Sequence, residues 1–412
     1  MKTWTGSLLS AVMPLALAAF CSAGSPAAQD AEAQPTGPIN VVVNQDIGFP
    51  TPNAIRFFQA TGTQLTYQSD AYTGGFGIQG GFFGTSRVNS VPSLSAPCLY
   101  VSDAGSNDIA SISLGSKQTV GNFTGSQTDD GSSNGIGLAV NANYLYASFT
   151  KSNTIGTFAL QSGCGLIFLG DVPAVGLQGG SVSGMAVNGS MLVVAYGDGS
   201  VQSFKVSGGM PVSNQDRQNS TGYGGGISFG AASVGNMPSG VDITQDGRFA
   251  LFGDISATAT VEVSSLTAGK LAPTVVYKVG NGVDAGAIRL SPDQSLVYIA
   301  NSESGSVSAA FFNKTTGRIT PGCMSPTLRG FNSLPWLGSV VTRDTSGTGT
   351  VLYVAEFGRD YLEINHGLAS EIGILNVTSN GVSCTLAEAM NSPVQLSYPG
   401  ALSMGVYPPR PF

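Results

Sequence analysis

One unit recurs along this chain and limits its fold more than any single motif does. The unit reads as a small residue, an apolar strand, a turn, a second apolar strand, a polar turn, then an alternating third strand. Its clearest copies are PSGVDITQDGRFALFGD at 238–254 and AGAIRLSPDQSLVYIAN at 285–301. It returns as NGIGLAVNANYLYASF (134–149), VSGMAVNGSMLVVAYGD (182–198) and LGSVVTRDTSGTGTVLYVAE (337–356), and in part as PCLYVSD (97–103). Equivalent first-strand positions are Leu138, Met185, Val241, Ile288, Ser339 and Leu402, with steps of 47, 56, 47, 51 and 63 residues. Periods of about 40–50 residues with several strands each mark propeller blades. Third strands follow in register at 109–114, 154–160, 200–206, 306–312 and 371–377. In the third of these, Val201, Ser203 and Lys205 alternate with Gln202, Phe204 and Val206, the period of a strand. A fourth, outer strand is less regular.

The two ends explain each other. PGALSMGVYPP (399–409) is a first strand with nothing after it, and INVVVNQ (39–45) is a second strand with nothing before it. AIRFFQA (54–60) and QLTYQ (64–68) continue the latter. Joining them makes one composite blade from both termini and removes an exposed sheet edge. The expected fold is therefore all-β: a seven-bladed β-propeller of four-stranded antiparallel blades over 39–412. Its weakest first strand is that of the second blade, around Thr85 to Ser93.

Composition agrees. Charged residues make up 10% of the 412, and 57 are Gly, which suits short strands and tight turns rather than helices. With 42% apolar residues the chain can build a core. The net charge of −7 with no basic stripe argues against nucleic acid as a partner.

Residues 1–23 read as an export signal. Lys2 supplies the positive end, Leu8 to Phe20 the apolar stretch, and Ala23 or Ala27 the cleavage site. Cys21 is placed like a lipoprotein cysteine, but Phe20 before it fits that signal poorly. The apolar stretch is too short to span a bilayer, and no other run is long enough. Residues 24–38 read as a disordered linker. The expected location is secreted, extracellular or periplasmic, and the expected state a monomer. Four cysteines remain after the signal, an even count that points to two disulfides. Cys323 and Cys384 fall at similar places in consecutive repeats, which favours 323–384 with 98–164. With one His and no close-spaced Cys pair, a structural zinc is not expected.

The segments 296–321 and 98–114, with the turns SPDQ (291–294) and TQDG (244–247), carry a family look. They resemble the lactonase-like propellers with YVTN-type repeats, the group of 6-phosphogluconolactonase and the fungal carboxymuconate cyclases. The resemblance covers nearly the whole mature chain and implies the fold, with lactone hydrolysis or muconate cyclisation as candidate activities. Enzymes of that family commonly carry histidines just before first strands. Here those places hold Ser239, Ala285 and Pro399, and the single His is His366.

In a propeller, the loops joining strands two and three share a face with the connections between blades. This chain spends its extra length there, over 70–90, 207–236, 322–336 and 357–370. Long loops on a rigid scaffold are where binding sits. Second strands end on Asn44, Asp103, Phe149, Gly197, Asp254, Asn301 and Glu356, with Asp198 after Gly197. Two readings stay open. The oxygens form a ring near the channel mouth suited to Ca²⁺ or a cationic group, or the residues cap their own turns. Glu356, Arg359 and His366 form a candidate acid–base group. Trp336 is the candidate stacking residue. No GxSxG, P-loop or HExxH occurs, and GGGISFG (224–230) lacks the phosphate-loop Lys. Five N-x-S/T sites, at Asn122, Asn188, Asn219, Asn313 and Asn376, allow a third reading as an adhesive surface glycoprotein. The expected partner is a small molecule, a glycan, or a cell-wall or protein surface.

Overall fold

The structure is a computed structural model that describes residues 39–78, 88–91, 97–125, 135–220, 237–256, 258–282, 285–302, 304–329, 337–344, 350–356, 370–397 and 403–407. Its strands sort into seven antiparallel sheets, each a blade. Blade 2, from the inside out, is Val88–Val91, Cys98–Asp103, Asp108–Ser113 and Gln118–Phe123. Blade 3 is Ile136–Val140, Tyr144–Phe149, Thr154–Leu160 and Leu166–Pro173. Blade 4 begins with Val182–Asn188, Met191–Tyr196 and Ser200–Ser207, and blade 5 with Met237–Ile243, Phe249–Ile255 and Thr260–Thr267. Blade 6 is Ala285–Leu290, Leu296–Asn301, Ser306–Phe312 and Ile319–Met324, and blade 7 begins with Leu337–Asp344, Thr350–Glu356 and Glu371–Ser379. Each inner strand touches the inner strands of the blades on either side, so the seven close a ring.

Blade 1 is the composite one. Ser403–Tyr407 is its inner strand and pairs with Ile39–Asn44, which pairs in turn with Ala54–Thr61 and then Gln64–Tyr72. The short inner strand of blade 2 lies where the sequence is weakest.

The outer strands are irregular for a local reason. In blades 4, 5 and 7 the outer position is filled by two short pieces, 210–213 with 218–219, 270–271 with 275–278, and 384–388 with 394–395. Pro273 and Pro393 lie in two of these breaks, where a missing N–H cannot join the ladder. In the other four blades the ladder to the outer strand carries a register shift. Bulged, broken edges blunt pairing between molecules.

Core side chains fill the seams between blades rather than one central mass. Residues of blades 1 and 2, for example, make one cluster through Val42, Ile55, Phe57, Leu99 and Val101. Buried tyrosines of the second strands lock neighbours together. The Tyr146 hydroxyl donates to the Gly209 carbonyl of blade 4 (3.2 Å), and that of Tyr353 to the Gly62 carbonyl of blade 1 (3.1 Å). Gly184 is required on the inner strand of blade 4, because a Cβ there would collide with the Ser239 carbonyl of blade 5. Both disulfides also join adjacent blades, Cys98–Cys164 between blades 2 and 3 and Cys323–Cys384 between 6 and 7. The first is fully buried and the second lies at the outer rim. Among the described residues no helix is long and apolar enough to cross a membrane.

Candidate functional site

Antiparallel order puts the ends of second strands, the loops to third strands and the connections between blades at one end of the ring. Asn44, Asp103, Asn301 and Glu356 close second strands there, Asp254 is the last residue but one of its strand, and Asp198 follows Tyr196 in the turn. All six are buried.

Strand alternation decides where they point. Asp103 shares a side with Leu99 and Val101, which pack on blade 1. Asp254 shares a side with Phe252, on blade 4, and Asn301 with Ile299, on blade 5. Glu356 lies on the side of Leu352 and Val354, against blade 6. Asn44 sits on the opposite side of its strand, toward blade 2, where its Nδ2 donates to the Ser102 carbonyl (3.3 Å). Asn44 and Asp103 therefore share the seam between blades 1 and 2, while Asp254, Asn301 and Glu356 lie in the seams 4–5, 5–6 and 6–7. Among the described residues no three acids, cysteines or histidines come together as a ligand set for a metal.

Among the described residues, four connections cross over the residue at or just after the end of the next blade's second strand. In each a glycine of the connection makes the crossing. Gly75 lies on Asp103, Gly125 on Phe149, Gly176 and Gly180 on Asp198, and Gly282 on Asn301. A Cβ on Gly75 would sit 2.6 Å from Asp103 Oδ2. Asp198 shows what the polar group does beneath its loop. Its Oδ2 accepts the backbone N–H of Gln178 (2.6 Å) and Gly180 (3.0 Å), and its Oδ1 accepts the Ser200 hydroxyl (2.6 Å) and N–H (3.1 Å). Burial alone raises a carboxyl pKa, but these bonds outweigh it and hold Asp198 below the ordinary value.

The other acids lack that support. Burial pushes Asp103 up to about 8, against a hydrogen bond from Asn53 Nδ2 to its Oδ1 (2.7 Å). Burial also raises Glu356 to about 8, helped by the charges of Glu371 and Glu388. Asp254 is raised by burial and then by the neighbouring Glu262, although Thr260 donates to its Oδ2 (2.9 Å). Among the described residues, Asp103 Oδ2, Asp254 Oδ1, Asn301 Oδ1 and both oxygens of Glu356 meet no hydrogen-bond partner. At neutral pH Asp103 and Glu356 are held as neutral acids, able both to donate and to accept.

Sequence reasoning missed the residues that complete these sites. Gln45 is fully buried with both amide atoms unmatched among the described residues. Asn53 donates to both Asn44 Oδ1 (2.9 Å) and Asp103 Oδ1. A signal for them exists. A polar residue opening the third strand bonds the acid or amide closing the second, as Thr260 does to Asp254 and Ser306 to Asn301 (3.1 Å). Arg359, His366 and Trp336 lie outside the described residues, so Glu356 is the member of the acid–base group whose surroundings are defined.

Residues 99–399 match the model of the family described as Lactonase, 7-bladed beta-propeller. No curated protein sequence matches the chain. The fold is similar to a candidate 6-phosphogluconolactonase of Bacteroides fragilis NCTC 9343, at 14% identity and TM-score 0.62, covering 91% of this chain and 99% of that one. It is similar to the periplasmic gluconolactonase of Pseudomonas aeruginosa, at 13% identity and TM-score 0.61, over 90% and 99%. A hypothetical selenium-binding protein of Sulfolobus tokodaii shares it too, at 11% identity and TM-score 0.61, over 90% and 94%. At such identities the likeness is one of fold alone.

Proposed function

The chain belongs to the lactonase seven-bladed β-propeller family, and from that premise we propose that it is an exported propeller binding a small, neutral, polyhydroxylated ligand on its long-loop face. One observation carries this reading. Among the described residues of that face, 45–53, 73–78 and 176–180 are fastened by buried acids and amides, Asp198 holding 176–180 being the fullest case. Loops fixed before binding cost little order when a ligand arrives. The scarcity of charge in the chain favours a neutral ligand, and two disulfides favour an oxidising compartment outside the cytoplasm.

A second reading is lactone hydrolysis, the activity named for two of the structural neighbours. It draws on Glu356, a neutral acid at pH 7 whose oxygens meet no partner among the described residues, at the base of the segment that carries Arg359 and His366. A thermal-shift series with glucono-1,5-lactone, neutral sugars, carboxymuconates and Ca²⁺ tests both. Saturation a hundredfold above Kd stabilises the native state by about 2.7 kcal/mol. For a domain of this size that is a rise of several degrees. A rise with sugars or lactone supports the first reading. A rise only with Ca²⁺, or none at all, refutes it. Consumption of lactone that vanishes in Glu356→Gln and His366→Ala establishes the second.

A further inference from the structure

The loop joining the second and third strands of blade 1 takes nine residues, 45–53, where its counterparts in blades 2 to 6 take three or four. It is fixed along its length. The Asp46 N–H donates to Asn44 Oδ1 (2.9 Å), Ile47 N–H to Asn53 Oδ1 (2.9 Å) and Thr51 N–H to the Gly48 carbonyl (3.2 Å). The connection 73–78 is sewn onto it. Gly77 N–H donates to the Ile47 carbonyl (2.6 Å) and Ile78 N–H to Asp46 Oδ1 (3.2 Å). The same connection is sewn to blade 2, where Phe76 N–H donates to Ser106 Oγ and Gly105 N–H to the Phe76 carbonyl, both at 2.8 Å. Glycines make the approach feasible, since a Cβ on Gly77 or Gly105 would collide with the facing backbone.

This framework displays an apolar surface. Phe49 is 80% exposed, and its ring meets Phe76 edge-on with centroids 5.5 Å apart. Pro50 and Pro52 beside it are exposed as well. Asp46 is the one ionisable side chain in 45–53, 73–78 and 104–107, and it is 2% exposed. Ordering a loop costs conformational entropy, and leaving a phenyl ring in water recovers none of it. A surface of one Phe and two Pro matches a single ring and falls far short of the roughly 800 Å² per partner of a stable protein interface. Among the described residues of these three segments no exposed ionisable side chain is present to meet a phosphate, a carboxylate or an ammonium group.

We infer that Phe49, backed by Phe76, is a stacking platform for the apolar face of a neutral carbohydrate ring. The C–H groups on such a face meet the negative face of the aromatic ring, and the ring hydroxyls stay directed to water and to the polar rim at Thr51. This rests on the reading of the long-loop face as a site for a neutral polyhydroxylated ligand, and it names the class and the contact.

The test uses the full chain on immobilised cello-, laminari-, xylo- and chito-oligosaccharides, with glucono-1,5-lactone in a parallel thermal shift. Phe49 is exposed, so Phe49→Ala should unfold at the wild-type temperature. It should bind the retained oligosaccharide roughly tenfold more weakly or worse. Phe49→Trp should keep the binding, and its indole emission should change when that oligosaccharide is added. Equal binding by wild type and Phe49→Ala overturns the platform. So does the absence of any oligosaccharide binding by wild type together with a silent Phe49→Trp. A lactone shift that persists in that case leaves the long-loop face standing without the platform, whereas loss of both removes both.

Discussion

A chain ending at residue 402 should lose its cooperative fold. That truncation removes Ser403–Tyr407, the inner strand of blade 1. Met404 is buried in one cluster with Val41, Val43, Tyr353 and Ile374, so the strand is also the seal between blades 1 and 7. Without it, Ile39–Asn44 presents an open, apolar edge, and such edges aggregate. The ring also loses a contact on each side, since the inner strands of blades 7 and 2 both touch this one. The expected loss is about 5 kcal/mol or more, comparable with the whole stability of many domains. Denaturant unfolding followed by circular dichroism, with size exclusion, reads it out. A truncated chain that stays monomeric and unfolds cooperatively near the full-length midpoint would show that the composite blade does not close the ring.

The neutral acids make the second large effect, one of pH. Asp103 and Glu356 hold their protons to about pH 8 in the folded chain, and Asp254 is raised as well. The unfolded chain releases the same protons near pH 4. Between these values the folded state binds more protons, so stability falls as pH rises. The contribution is fully present below about pH 4 and is lost by the time pH passes about 8. Asp103→Asn and Glu356→Gln mimic the protonated forms and should flatten this slope. At pH 8 each variant should exceed wild type by on the order of 1–3 kcal/mol, while at pH 5 the difference shrinks or reverses. Asp198 works in the other sense. Its lowered pKa gives stability present above the ordinary carboxylate range and lost as pH falls below it. Urea midpoints from pH 4 to 9 distinguish the cases. A wild-type profile that rises steadily to pH 8 would mean that Asp103 and Glu356 are ionised in the fold.

The fold was legible because repeats are periodic and the propeller is their direct consequence. The copies at 238–254 and 285–301 set the period, and INVVVNQ with PGALSMGVYPP set the closure. The disulfide pairing followed from repeat position, because Cys323 and Cys384 occupy outer strands of adjacent blades. Of the candidate site, the strand positions were legible. Asp103, Asp254, Asn301 and Glu356 were picked out as strand ends, and the structure puts Asp103, Asn301 and Glu356 there and Asp254 one residue short, before Ile255. Which side of the strand each uses depends on parity, and one residue of offset sends Asn44 toward blade 2 while Asp103 faces blade 1. That offset is invisible in a motif. The exposed Phe49 was missed for a different reason. An isolated Phe in a Pro-rich turn has no pattern, and only its hydrogen-bonded surroundings show that the turn is held in place.

Hydrogen–deuterium exchange with and without glucono-1,5-lactone or a retained oligosaccharide reports which end of the ring the ligand covers. Added protection is expected in 45–53, 73–78 and 176–180, the loops anchored on buried Asp and Asn groups, and in 104–107, which is hydrogen-bonded to 73–78. Protection confined to the hairpins at 141–143, 244–248 and 291–295, at the opposite end of the blades, would contradict it.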